Sequence, residues 1–147
     1  MTLMDAQPPD FARERRRRIT ITIIIAVVLI AAALAWELRY WPEEHVADKF
    51  FSALERQDYE AAYGIYFAAP NWKQHPQRYS LYAFSDFYRD WGPSGEWGII
   101  KSYKIEVAGT CPGGNKGVVV QVIVNGRADR ARIWVQKSDK TISYPPC

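Results

Sequence analysis

Residues 19–36, ITITIIIAVVLIAAALAW, decide how the whole chain is organised. They hold 18 positions without one charge. At about 1.5 Å per residue a helix through them covers roughly 27 Å, close to the ~30 Å hydrocarbon core of a bilayer. Arg13, Arg15, Arg16, Arg17 and Arg18 precede the stretch with only Glu14 among them, and Trp36, Tyr40 and Trp41 follow it as an interfacial aromatic belt. A basic region, an apolar run and Ala33-Leu34-Ala35 also suit a signal peptide cleaved after Ala35. The run exceeds the ~7–15 residues of a signal core, however, and the belt continues past the triplet, so an uncleaved signal anchor is expected. A soluble core helix would keep a polar stripe, whereas only Thr20 and Thr22 interrupt this one. Five arginines before the span, against Arg39 and Lys49 after it, predict a cytoplasmic N-terminus at the inner membrane. Residues 37–147 are then exported to the periplasm or the exterior.

The expected order is a basic cytoplasmic tail (1–18), a transmembrane helix (19–36), a linker (37–42) and an exported domain (43–147). The 106 residues from Pro42 onward suffice for one hydrophobic core. The net charge of +3 is unevenly spread. The tail holds 5 of the 19 basic and 3 of the 16 acidic residues, leaving 14 against 13 from Glu37 on. A nearly neutral domain argues against a nucleic-acid partner. The arginines read instead as a topology signal with affinity for anionic lipid.

Residues 1–10, with Pro8-Pro9, read as a disordered leader. Beyond the span, Trp41-Pro42-Glu43-Glu44 suits a helix start, and Val46, Phe50, Ala53 and Leu54 recur on one face, widened by Ala47 and Phe51. Asp58 caps a second helix through Ala61, Ala62, Ile65 and Tyr66. Pro70, Asn71 and Pro76 bracket a loop. Ser80 is expected to cap a third helix with a Leu81, Phe84, Tyr88, Trp91 stripe, ended by Gly92, Pro93 and Gly95.

From Trp97 the period becomes alternating. Ile99, Tyr103, Ile105 and Val107 share one face, opposite Ser102, Lys104 and Glu106. Residues 109–117 form a glycine-rich turn, and Val118 to Val124 is the strongest strand signal. Asn125-Gly126 after it predicts a two-residue type I′ hairpin. In that register Val118, Val120 and Val122 face Ile133, Ala131 and Asp129, while Val119 and Gln121 face Arg132 and Arg130. Ser138-Asp139 is a further turn before a short strand from Thr141 to Tyr144. Helices followed by a four-stranded meander make an α+β domain.

The run Phe50-Phe51-Ser52-Ala53-Leu54-Glu55-Arg56-Gln57-Asp58-Tyr59-Glu60-Ala61-Ala62-Tyr63 resembles the opening helix pair of nuclear transport factor 2-like (cystatin-like superfamily) domains, in particular small bacterial exported members. The resemblance covers residues 43–145. It implies a cone of three helices packed on a curved antiparallel sheet of about four strands. The family spans isomerases, dehydratases, binding modules and scaffolds, so it does not fix an activity.

Family enzymes place an acid, histidine or tyrosine inside the cone. Asp86, Tyr88, Tyr103, His75 and His45 are the candidates here, but no spacing marks an Asp–His pair, and each suits a surface or core role. Two histidines and two cysteines without ligand spacing indicate no metal centre, and no cofactor is implied. Gly113-Gly114 lies between strands rather than before a helix, so it is no phosphate loop.

Twenty-one aromatic residues are expected chiefly as core. Tyr63, Phe84, Tyr88, Trp91 and Tyr103 are the candidates for lining an apolar pocket. Trp134, beside Arg130 and Arg132 on the polar face, is a candidate exposed protein contact. Cys111 and Cys147 either pair with each other, given a short last strand or a folded-back Pro145-Pro146 tail, or leave Cys147 free or intermolecular in a covalent dimer.

The expected function is non-covalent binding of an envelope partner protein or a small apolar ligand. The alternatives are a scaffold subunit, similar in topology to type IV secretion inner-membrane and Mce-associated proteins, and a small isomerase or dehydratase with a cone-buried acid.

Topology is directly testable. A reporter active only outside the cytoplasm should be active when fused after Cys147 and silent when inserted before Arg13. The opposite pattern would reverse the orientation.

Overall fold

In the computed structural model Asp10 opens the first helix: its carboxylate accepts from the Arg13 N–H at 3.1 Å. The structure describes residues 10–114 and 116–147, so the expected leader lies outside the described residues except for Asp10. Helix α1 (Phe11–Glu37) contains the whole 19–36 stretch, and none of its residues is buried. Thr20 and Thr22 donate their hydroxyls to the carbonyls of Arg16 and Arg18, both at 2.9 Å. The two polar side chains in the apolar stretch are thus satisfied within the helix. One helix is therefore long and apolar enough to cross a membrane. Contacts divide the chain into Met1–Arg39 and Tyr40–Cys147. Non-helical residues are confined to 38–40, half of the expected 37–42 linker.

The second unit begins with α2 (Trp41–Glu55), which has Pro42 in its first turn and Glu43 and Glu44 at its positive end. Ala47, Phe50, Phe51 and Leu54 are buried along one side. Asp58 caps α3 (Tyr59–Tyr66), accepting from the Ala61 N–H at 3.1 Å. The third helix differs from expectation. Residues Trp72–Gln74 and Pro76–Tyr82 are 3-10 segments, Ala83 is extended, and α4 (Phe84–Trp91) starts only there. Ser80 therefore caps nothing, and Leu81 is fully exposed. The buried side of α4 is Phe87 and Trp91, with Tyr88 43% exposed. Pro76 is what the i, i+3 count overlooked: it starts a tight turn whose three-residue period shares the spacing but not the axis of an α-helix.

Strands β1 (Tyr103–Gly109), β2 (Gly117–Val124), β3 (Arg130–Gln136) and β4 (Ile142–Ser143) pair antiparallel in the order β1-β2-β3-β4. The domain is α+β with an open sheet. Val118, Val120, Val122 and Val124 of β2 and Ala131, Ile133 and Val135 of β3 form the buried inner face. Strand β1 carries a bulge between Ile105 and Val107. That extra residue inverts the alternation, so Val107 is exposed and Ala108 packs against the core instead. Ile99, expected on the inner face, is also exposed, and Ile100 is buried in its place.

The hairpin register also differs. Asn125 and Gly126 both have positive φ, 51° and 66°, and the Arg127 N–H donates to the Val124 carbonyl at 3.0 Å. The chain does not rejoin the ladder there; its last pair is Ile123 with Arg130. Val122 thus faces Ala131 rather than Asp129. A slip of two residues preserves which face is buried and removes the one charged residue that the tighter register placed opposite a core valine. The Asn125 side chain explains the longer loop. Its oxygen accepts from the N–H groups of Lys101 and Ser102 at 2.7 and 3.2 Å, and its amide donates to the Ile99 carbonyl at 3.0 Å.

Trp134 is on the outer face as expected, opposite Val119, but it is only 7% exposed. It is covered because the chain turns away after the two residues of β4, and Cys147 bonds to Cys111 with Cα atoms 5.8 Å apart. Cys111, Val119 and Trp134 form a small second cluster. A Cβ on Gly117 would lie 2.4 Å from the Trp134 ring, so only glycine lets the indole lie down there. Arg132 is not a free surface cation either, since it donates to the Cys147 carbonyl at 2.8 Å.

A Cβ at Gly126 would meet nothing within 4 Å, so substitution there reads backbone strain alone. Gly126→Val should cost about 1–2 kcal/mol. It should lower the melting temperature of the full chain in micelles by several degrees, and an unchanged melt would exclude the left-handed turn.

Candidate functional site: a groove between α2 and α3

The aromatic interior is filled. Tyr63 is wholly buried, with ring centroids of Trp72, Phe67, Phe87 and Phe84 at 4.7, 5.1, 5.3 and 5.5 Å. Its hydroxyl donates to the Tyr82 carbonyl at 2.7 Å. Phe50 meets Trp91 and Phe87 edge-on at 5.1 and 6.1 Å. Phe84 stacks on Trp72 at 5.3 Å, and Tyr88 meets Tyr59 at 5.1 Å on the rim. Tyr103 leans on Phe51 and donates to the Asp48 carboxylate at 2.7 Å. These contacts place all five candidate pocket residues against another ring. Trp91 alone also borders a small polar pocket of about 160 Å³, with Asp90, Glu96, Arg130, Arg132 and Tyr144.

The candidate catalytic groups stand apart from one another. His45 stacks on Trp41 at 5.1 Å in the exposed first turn of α2, and His75 is exposed ahead of Pro76. Asp86 is engaged by Arg89 at 3.1 Å. Burial, reinforced by Asp48, pushes the Tyr103 phenol up to about 12, and burial does the same to Tyr66. Burial and a bond to Asp90 hold Tyr82 higher still. These phenols stay protonated near neutral pH and cannot serve as bases there. Among the described residues no group of three His, Cys, Asp or Glu could hold a metal ion.

A larger and mostly apolar concavity lies elsewhere, a groove of about 470 Å³ lined by Val46 and Lys49 of α2, Glu60, Ala61, Gly64 and Ile65 of α3, then Ala68, Pro70, Trp72 and Lys140. Val46 and Lys49 are one turn apart, and positions 60, 61, 64 and 65 follow one side of α3. Gly64 explains the end wall. A Cβ there would sit 3.3 Å from both Trp72 Cδ1 and the Ala69 carbonyl, so glycine lets the chain double back and lay Trp72 against the helix. The indole N–H then donates to the Glu60 carbonyl at 3.2 Å. The lining is mostly apolar, with its charges at Lys49, Glu60 and Lys140.

Two of those charges are matched. Glu60 pairs with Lys73. Lys140, at positive φ in the β3–β4 turn, bonds Glu43 at 2.5 Å and the Lys137 carbonyl at 3.0 Å. Glu43 is only 3% exposed, so this pair fastens the start of α2 to the sheet. The sequence pattern places Val46 on the apolar face of the first helix after the span and Ala61 and Ile65 on the second, uses Lys49 only as a flanking charge, and singles out neither Lys140 nor Trp72. A glycine inside a helix, costing about 1 kcal/mol relative to alanine, was the signal that something packs closely at position 64.

Compared with known proteins, the chain matches no family model, no curated protein and no solved structure.

Removing the cation while leaving Glu43 buried should be expensive. Lys140→Met should destabilise by about 1–3 kcal/mol at neutral pH, and Glu43→Gln in the same chain should recover part of that. If Lys140→Met melts like the native protein, the pair does not hold α2.

Proposed function

We propose that this chain is a single-pass, N-in membrane protein whose exported Tyr40–Cys147 domain binds a small apolar ligand non-covalently in the groove between α2 and α3. One observation carries the reading: an apolar groove of about 470 Å³ lies beside an interior already filled by its own rings. That volume falls within the ~300–1,000 Å³ of small-molecule sites, and a few charged groups on a mainly apolar lining are the usual means of orienting a ligand. The 160 Å³ polar pocket is smaller than that range, and its arginines are already bonded to Glu106 and to the Cys147 carbonyl.

Helices followed by an antiparallel meander, together with the Phe50–Tyr63 motif, support a nuclear transport factor 2-like plan. The Cys111–Cys147 bond is the kind of cross-link that an oxidising compartment preserves, which supports export of the domain. The arginine run before residues 19–36 supports a cytoplasmic N-terminus. A scaffold role would need a broad docking surface, and the groove is sized for a small molecule instead.

Photolabelling tests the site. The full chain in phosphatidylcholine nanodiscs is irradiated with hexadecanol bearing a diazirine at the chain end. Label should appear on peptides containing Ala61, Ile65 and Trp72, and unlabelled hexadecanol should suppress it. Label confined to peptides from α1, as any lipid-facing helix would acquire, would refute the site.

A further inference from the structure

The charges around the groove do not cancel. Lys49, Lys73 and Lys140 face Glu43 and Glu60, and both carboxylates are taken: Glu60 by Lys73, Glu43 by Lys140. Lys49 has no hydrogen-bond or ion-pair partner among the described residues. Its own helix offers none, because positions three and four away are His45, Val46, Ser52 and Ala53. The neighbouring Asp48 accepts from the Tyr103 hydroxyl at 2.7 Å. The charges lining the groove and their ion-pair partners therefore sum to one positive charge, at Lys49, beside the apolar surface of Val46, Ala61, Ile65 and Trp72.

We infer that the groove takes a single-chain anionic amphiphile, a long-chain carboxylate, with its alkyl chain along Val46, Ala61 and Ile65 toward Trp72 and its head on Lys49. The inference rests on the groove being the binding site and adds the class of head group. The physical basis is charge complementarity at the rim of a low-dielectric surface, where an ammonium attracts a carboxylate more strongly than it does in bulk water. A neutral alcohol lacks that attraction, and a quaternary ammonium head would be repelled. One groove of about 470 Å³ suits a single chain rather than the paired chains of a bilayer phospholipid.

Competition against the diazirine probe separates this inference from the reading beneath it. Hexadecanoic acid, hexadecanol and hexadecyltrimethylammonium are titrated against the full chain in phosphatidylcholine nanodiscs, at a pH where the acid is ionised. A further arm adds phosphatidylglycerol to the discs. Hexadecanoate should compete about five-fold better than hexadecanol, and the ammonium should be weakest. Lys49→Gln should bring acid and alcohol to within about two-fold, Lys49→Arg should retain the preference, and Lys101→Gln, on a surface residue outside the groove, should leave it unchanged. Equal competition by all three heads in the native chain would overturn the anionic preference while leaving the groove as the site. Competition by phosphatidylglycerol as effective as that of the acid would overturn the single-chain ligand. Failure of every competitor to displace label from Ala61 to Trp72 would refute the groove itself.

Discussion

The packing of Phe50, Tyr63 and Phe87 on one another, in one cluster with the valines of β2, is the contact on which the rest of the domain depends. All three rings are wholly buried, and Phe87 lies 5.3 Å from Tyr63 and 6.1 Å from Phe50. Aromatic side chains of this size contribute by area, and edge-on pairs add about 0.5–1.5 kcal/mol each. They also set direction. With Tyr63 turned inward and its hydroxyl bonded to the Tyr82 carbonyl, the next residue, Gly64, sits on the flank where Trp72 closes over it. One turn of α3 therefore seals the interior and shapes the groove. The two features are coupled, and space for a ligand lies where the rings are not.

Much of the fold was legible because local rules and burial agreed. The apolar run at 19–36 lacks a polar stripe, and it forms a helix long and apolar enough to cross a membrane, with no buried residue. Asp58 was readable as a cap because its side chain reaches the Ala61 N–H within one turn. The valines of β2 were readable as a strand because every second one needs the same wall. What escaped were features set by distant residues. The Asn125 side chain binds the Ile99–Ser102 backbone and so lengthens the hairpin by two residues; no pattern within the hairpin encodes that. The bulge at Glu106 inverts β1, and Glu106 uses the displaced position to hold Arg130, which keeps its carboxyl below the usual carboxylate range. Trp134 looked exposed because the cover over it comes from the far end of the chain, through Cys147.

The candidate site was less legible than the fold, and for a physical reason. An apolar side chain at helical spacing reads as core whether it meets another side chain or a ligand. Val46, Ala61 and Ile65 belong to the same stripes as Ala47, Ala62 and Tyr66, displaced around the helix by one residue. Only a three-dimensional object, Trp72 folded back onto Gly64, distinguishes the two sets. The five aromatic candidates were chosen by the same reasoning in reverse, as rings that could line a hollow; each packs on another ring, and Trp91 also borders the small polar pocket. Half-buried and hydrogen-bonded, Tyr103 and Tyr82 act as structural phenols, tying β1 to α2 and the Pro76–Tyr82 segment to α4.

The most direct measurement is crystallographic. Crystals of the full chain soaked with a hexadecanoic acid brominated along its chain would locate the alkyl group by anomalous scattering. Bromine density between Val46, Ile65 and Trp72, with the Phe50, Tyr63 and Phe87 rings unmoved, is the expected result. Density among those three rings, or along α1 alone, would contradict a filled interior flanked by a binding groove.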